Sequence, residues 1–149
     1  MHVLVATDGS RNSVNAASTA AQLLKTADLV TLLSVVTEMP GDDAGGIEGS
    51  VYSADEADRV WQQELAEAGA ELEHTAAALS NAHVDKRIEV GDVDATICRV
   101  AEQLGVDVIV VGSHGRTGLS RLFLGSVSEH VLRHAPCPVL VVREAPPKQ

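Results

Sequence analysis

The residues best suited to chemistry follow one strongly apolar run: Gly112, Ser113, His114, Gly115, Arg116, Thr117 and Gly118 in succession. Nine residues separate Gly115 from Gly125, which precedes Ser126 at a helix start. Glycine carries no Cβ, so main-chain N–H groups can turn toward a phosphate unobstructed, and a helix N-terminus adds unsatisfied donors and the positive end of a dipole. A polyphosphate meets both requirements. A lone pair of glycines after a strand is usually only a turn. Four of them, with a serine at a helix start and a flanking arginine, shift the reading to a phosphate cradle, to which His114 and Arg116 add donors and modest charge. The run Ser126, Val127, Ser128, Glu129 also reads as a capping box, with the Ser126 hydroxyl accepting from the Glu129 amide. Asp8, just after the first apolar run, suits ribose hydroxyls or a phosphate-bound Mg²⁺, and equally suits an Asx turn or a helix cap shared with Ser10.

Several other chemistries are disfavoured. There is no GxxxxGK[ST], no lysine between Lys86 and Lys148, and no GxGxxG in the first turn, which weighs against a P-loop and against NAD. The aromatics are Tyr52, Trp61 and Phe123, and none follows a strand where a flavin ring would stack. His130, His134 and Cys137 have a zinc-like spacing, but Pro136 and Pro138 fix the cysteine at a strand start and no fourth ligand is near. Cys98 reads as a small core residue.

These residues need a scaffold, and the chain alternates β-branched runs with helical periodicity throughout. Strands are expected at 3–7, 29–36, 84–90, 107–111 and 138–142. The strand at 107–111 is the most apolar and reads as central, and that at 84–90 reads as an edge. Helices are expected from Ser10 onward, over a long stripe through Trp61, Leu65, Ala68, Leu72, Ala76 and Leu79, after an Asp92 cap with a stop at Gly105, and over 126–134. The pattern predicts an α/β fold, a single-domain doubly wound five-stranded parallel sheet over 1–149, with its crevice beyond the strand C-termini where the strand order reverses.

Composition agrees. The 149 residues are 45% hydrophobic and carry two cysteines, so a core forms without disulfide staples. A net charge of −10 argues against nucleic acid as a partner. The charge is local: 38–73 holds eleven acids and one base, Arg59, while the rest balances, so the crevice can hold an anion. A flexible acidic loop is expected at about 37–53. No apolar run reaches the roughly 20 residues of a membrane span, and the first residues lack the basic start of a signal peptide, which makes the expected location cytoplasmic.

The motif resembles that of the universal stress proteins, in the ATP-binding branch marked by G-x2-G-x9-G-[ST], which here reads Gly112, Gly115, Gly125, Ser126 without a gap. The opening VLVATDGS, the run DVIVVGSHGRTG and the tail GSVSEHVLRHAPCPVLVV are also similar to that family, so the resemblance spans nearly the whole chain. It implies an adenine nucleotide alpha hydrolase-like sheet in the order 3-2-1-4-5. It also implies a homodimer through antiparallel pairing of the last strand, which opens on Pro138 and closes on Val142. Carried over by position, adenine meets the backbone at Val35, ribose meets Asp8 and Gly112, and phosphates meet Gly115, Gly125, Ser126, Val127 and Ser128. His114 and Arg116 stand beside the phosphates, and Thr7, Val111 and Ser113 complete the strand ends. Two departures stand out: Ser34 replaces the histidine of many relatives, and the loop is unusually acidic. The implied ligand is ATP, with ADP and AMP as alternatives and Mg²⁺ bound through the phosphates. The expected function is a dimeric, nucleotide-dependent regulator of a stress response with an unknown client protein and at most slow ATP hydrolysis. The alternatives are a hydrolase or nucleotidyl transferase using the same crevice, and a nucleotide-free chaperone-like adapter.

Overall fold

The computed structural model describes residues 1–37, 53–79, 83–114 and 124–143. The expected acidic loop falls almost wholly on 38–52, outside them. The elements in order are β1 (His2–Ala6), α1 (Arg11–Leu23), β2 (Leu29–Val36), α2 (Ala54–Ala77), β3 (Val84–Val90), α3 (Val93–Leu104), β4 (Val108–Gly112), α4 (Ser126–His134) and β5 (Val139–Val142). All pairings are parallel and the sheet order is β3-β2-β1-β4-β5, so the expected α/β fold stands. One expectation needs correcting. The strand in the middle is β1, not β4, because an apolar run reports burial on both faces and β4, one place out, is buried as fully.

Side-chain alternation along the strands divides the core into two layers. Val3 and Val5 of β1 face one cluster with Val30, Leu32, Val110 and the alanines 16, 17 and 20 of α1, joined by Leu72 of α2. Leu4 faces the other, with Leu33, Ile109 and Val111 against Ile97, Val100 and Ala101 of α3 and Val131 of α4. Small alanines let α1 lie close to the sheet, and two covered faces explain why the inner strands read as continuous apolar runs.

Caps fix where the helices start. Ser10 accepts from the Ser13 amide, Ser53 and Glu56 form a capping box, and Asp92 accepts from the Ala95 amide. Gly105 ends α3 in the left-handed region at φ 59°. The long-helix stripe departs at its end, since α2 stops at Ala77 and Leu79 is buried from beyond it.

The two sheet edges differ. On β3, Lys86 pairs with Glu73 at 2.6 Å, and Glu89 meets Arg87 at 3.7 Å and Arg99 at 3.2 Å. On β5, the Pro138 carbonyl accepts from the Ile109 amide and the Val142 carbonyl from the Ser113 amide. Alternation then directs the backbone groups of Val139 and Val141 away from β4. Leu4 is fully buried at the centre of the sheet. Leu4→Ala is expected to cost about 2–5 kcal/mol, read as a lower urea midpoint at unchanged slope.

Candidate functional site

A cavity of about 270 Å³ opens beyond the carboxyl ends of β1, β2 and β4, close to the lower end of small-molecule sites, about 300–1,000 Å³. It lies where the strand order reverses, between β1 and β4. Three segments shape it. After β1, the Thr7 amide still bonds Leu33, and the chain then turns through Gly9 at φ 70° into α1. Asp8 makes the Asx turn considered as one of its roles, its Oδ1 accepting from the Ser10 amide at 3.0 Å, while Ser10 itself caps α1.

The second segment is the end of β4 with the start of α4. The Ser113 carbonyl accepts the Gly125 amide at 2.8 Å and the Ser128 hydroxyl at 3.3 Å, and that hydroxyl also donates to the Gly125 carbonyl at 2.9 Å. Here one expectation is corrected. The capping box at Ser126 does not form: Gly125 is the N-cap with extended backbone, Ser126 is the first helical residue, and among the described residues no side chain caps α4. Gly125 itself donates its N–H to the Ser113 carbonyl. Its role is one of shape, since a Cβ there would stand 3.2 Å from the Ser113 oxygen.

The Gly125 carbonyl accepts the Glu129 amide in the first helical bond of α4, so the amides of Ser126, Val127 and Ser128 form its first turn at the cavity wall. The third segment is apolar: Leu33 and Val35 of β2 face Val93 and Ile97 of α3.

Of the residues selected from sequence, Thr7, Asp8, Val35, Val111, Gly112, His114, Gly125, Ser126, Val127 and Ser128 all line this cavity. Ser113 does not. It is buried behind the wall, with its hydroxyl on His114 Nδ1 at 3.0 Å. Gly115 and Arg116 lie outside the described residues. Lining residues that the sequence reading missed are Ala6, Ser13, Leu33, Val93 and Ile97. Leu33 shares a face of β2 with Val35, and Val93 and Ile97 share a face of α3 at i, i+4 spacing.

The other reactive side chains stand apart from the cavity. Burial pushes the Cys98 and Cys137 thiols above the ordinary value, which disfavours thiolate. His130 contacts Asp94 at 3.2 Å and stacks on His134 with ring centroids 4.1 Å apart. Among the described residues, no group of three or more potential ligands is placed to hold a metal. No described helix is long and apolar enough to cross a membrane.

The model of the universal stress protein family matches residues 1–143. The chain belongs to that family. A putative universal stress protein of Staphylococcus haemolyticus is 36% identical over 146 residues, covering 95% of this chain and 84% of its own. The solved structure of a universal stress protein of Methanocaldococcus jannaschii superposes with a TM-score of 0.78 at 30% identity, covering 97% and 96% of the two chains. A universal stress protein family member from Arabidopsis thaliana, solved with AMP bound, shares the fold at a TM-score of 0.68 and 21% identity, covering 97% and 92%. The sheet order seen here is thus that of universal stress protein structures.

Ser128→Ala removes one donor while both carbonyls keep an amide partner. It is expected to cost about 1 kcal/mol in urea unfolding, with faster amide exchange at Gly125.

Proposed function

We propose that the cavity binds an adenine nucleotide and that the protein is a dimeric, nucleotide-dependent regulator. The observation that carries this reading is the α4 N-terminus. Among the described residues it has no side-chain cap, whereas α1, α2 and α3 are each capped by a serine or an aspartate, and its first-turn amides border a cavity at the topological switch point. An anion at that position takes the place of the missing cap. The lining fits the remainder of a nucleotide. Leu33, Val35, Val93 and Ile97 offer apolar contact for a base, and Asp8 offers a carboxylate for ribose hydroxyls. The AMP-bound plant relative supports the choice of adenine, since it carries that ligand on the same fold.

In this reading the amides of Ser126, Val127 and Ser128 hold the phosphates, with Gly115 and Arg116 adding contacts from the rest of the motif. Mg²⁺ would enter with ATP through the phosphate oxygens and neutralise them. The chain's own contribution is binding and orientation. Fast phosphoryl transfer requires a positioned base and strong cations around the γ-phosphate. The titratable groups lining the cavity among the described residues are Asp8 and His114. Hydrolysis is therefore expected to be slow, and a change in nucleotide state would alter what the β4–α4 connection presents to a client protein in a stress response. The proposed location is the cytoplasm.

The proposed dimer uses β5, whose outward groups at Val139 and Val141 suit antiparallel pairing with a second copy. Titration calorimetry should give about one adenine nucleotide per chain, and His114→Ala should retain most of the affinity. Turnover of Mg-ATP should stay below about 1 s⁻¹, the bottom of the ordinary enzymatic range. No heat with ATP, ADP or AMP would refute the assignment. Val141→Pro removes an outward donor without touching the β4 ladder, so sedimentation velocity should shift from dimer to monomer.

A further inference from the structure

A string of buried hydroxyls runs from α2 to the cavity. Thr75 of α2 is fully buried, and its Oγ1 donates to the Glu71 carbonyl one turn earlier at 2.8 Å. Thr75 Oγ1 and Thr7 Oγ1 are in hydrogen-bond contact at 2.9 Å. Thr7 Oγ1 in turn accepts the Gly9 amide at 3.1 Å and lies 3.0 Å from Ser13 Oγ. The string thus links α2 to the N–H of the residue after Asp8.

A second contact reaches the same turn. Gly9 adopts φ 70°, and a Cβ built on it would lie 2.5 Å from Glu71 Cγ, so the turn is seated on the Glu71 side chain. Glu71 is itself anchored by the Ser34 hydroxyl, which donates to its Oε2 at 3.3 Å. Neither Thr75 nor Glu71 lines the cavity. Ser34, the departure noted in the sequence, thus belongs to this support.

We infer that Thr75 and Glu71 are positioning residues, which from outside the pocket hold the Thr7–Ser10 turn in the form that presents Asp8 to the ligand's ribose. The part concerning ribose rests on the adenine-nucleotide reading above. Exchanging Thr75 for valine places a methyl where an oxygen stood 2.9 Å from Thr7. Such a pair normally sits at about 3.5 Å, so Thr7 and the turn it holds must shift. Serine at 75 restores the hydroxyl.

The test compares Thr75→Val, Thr75→Ser and Glu71→Ala with the wild type in two measurements. In the ligand-free protein, the Gly9 amide should move in the ¹⁵N–¹H spectrum and exchange faster in Thr75→Val and Glu71→Ala, but not in Thr75→Ser. By calorimetry, the wild type should prefer AMP over its 2′,3′-dideoxy analogue. That preference should fall about 3- to 10-fold in Thr75→Val and Glu71→Ala and return in Thr75→Ser.

A uniform loss for both ligands would show a merely structural role and overturn the inference, as would an unmoved Gly9 amide. If wild type binds neither ligand, the nucleotide reading fails. The Gly9 amide then decides the positioning of the turn by itself, supporting it if moved and overturning it if not. Should Thr75→Val fail to fold, Glu71→Ala carries the same two readouts.

Discussion

The Ser113 carbonyl, accepting the Gly125 amide and the Ser128 hydroxyl together, ties the end of β4 to the start of α4, and the geometry of the cavity follows from that tie. A parallel strand leaves its last carbonyls without a ladder partner, and a helix leaves its first amides without one. Here one carbonyl resolves part of both deficits. The amides of Ser126, Val127 and Ser128 remain in the first turn with no capping side chain among the described residues. The site is built from an incompleteness that other helices in the same chain remove with Ser10, Ser53 and Asp92.

Around that tie, the two core layers act as spacers. Alternation in β1 sends Val3 and Val5 toward α1 and Leu4 toward α3, so the chain must leave β1 between layers. It does so through Thr7 and the left-handed Gly9, held on one side by α2 and open on the other to the cavity. The layer of α1 and α2 thus supports the turn from behind, while the layer of α3 and α4 supplies the apolar and uncapped walls in front.

Much of this was legible in the sequence because it is local. Apolar runs marked the strands, Ser10 and Asp92 marked helix starts, and Gly105 marked a stop, each by a mechanism confined to a few residues. What failed was finer than spacing or wider than it. The S-x-x-E pattern at Ser126 is chemically a capping box, but the extended residue that must bear the cap is Gly125, one position earlier. Ser113 sits between two lining residues and faces away from them. Its position one step beyond β4 gives its carbonyl to α4 and buries its side chain. Ser13, Leu33, Val93 and Ile97 reach the cavity from elements that only the sheet order brings together, and Thr75 lies 68 residues from its Thr7 partner. The placement of β4 as central erred because apolar content measures cover, not rank.

The edges of the sheet are unequal. Along β3, Lys86, Arg87 and Glu89 are engaged in ion pairs, and charged rungs resist an incoming strand. Along β5, the backbone groups that point outward belong to Val139 and Val141, whose side chains pack on the core. A ribbon with two receptive margins can add copies without end, whereas one with a single receptive margin is used up by its first partner. The asymmetry leaves β5 as the margin open to strand addition, so a copy that paired there would close the sheet to further growth.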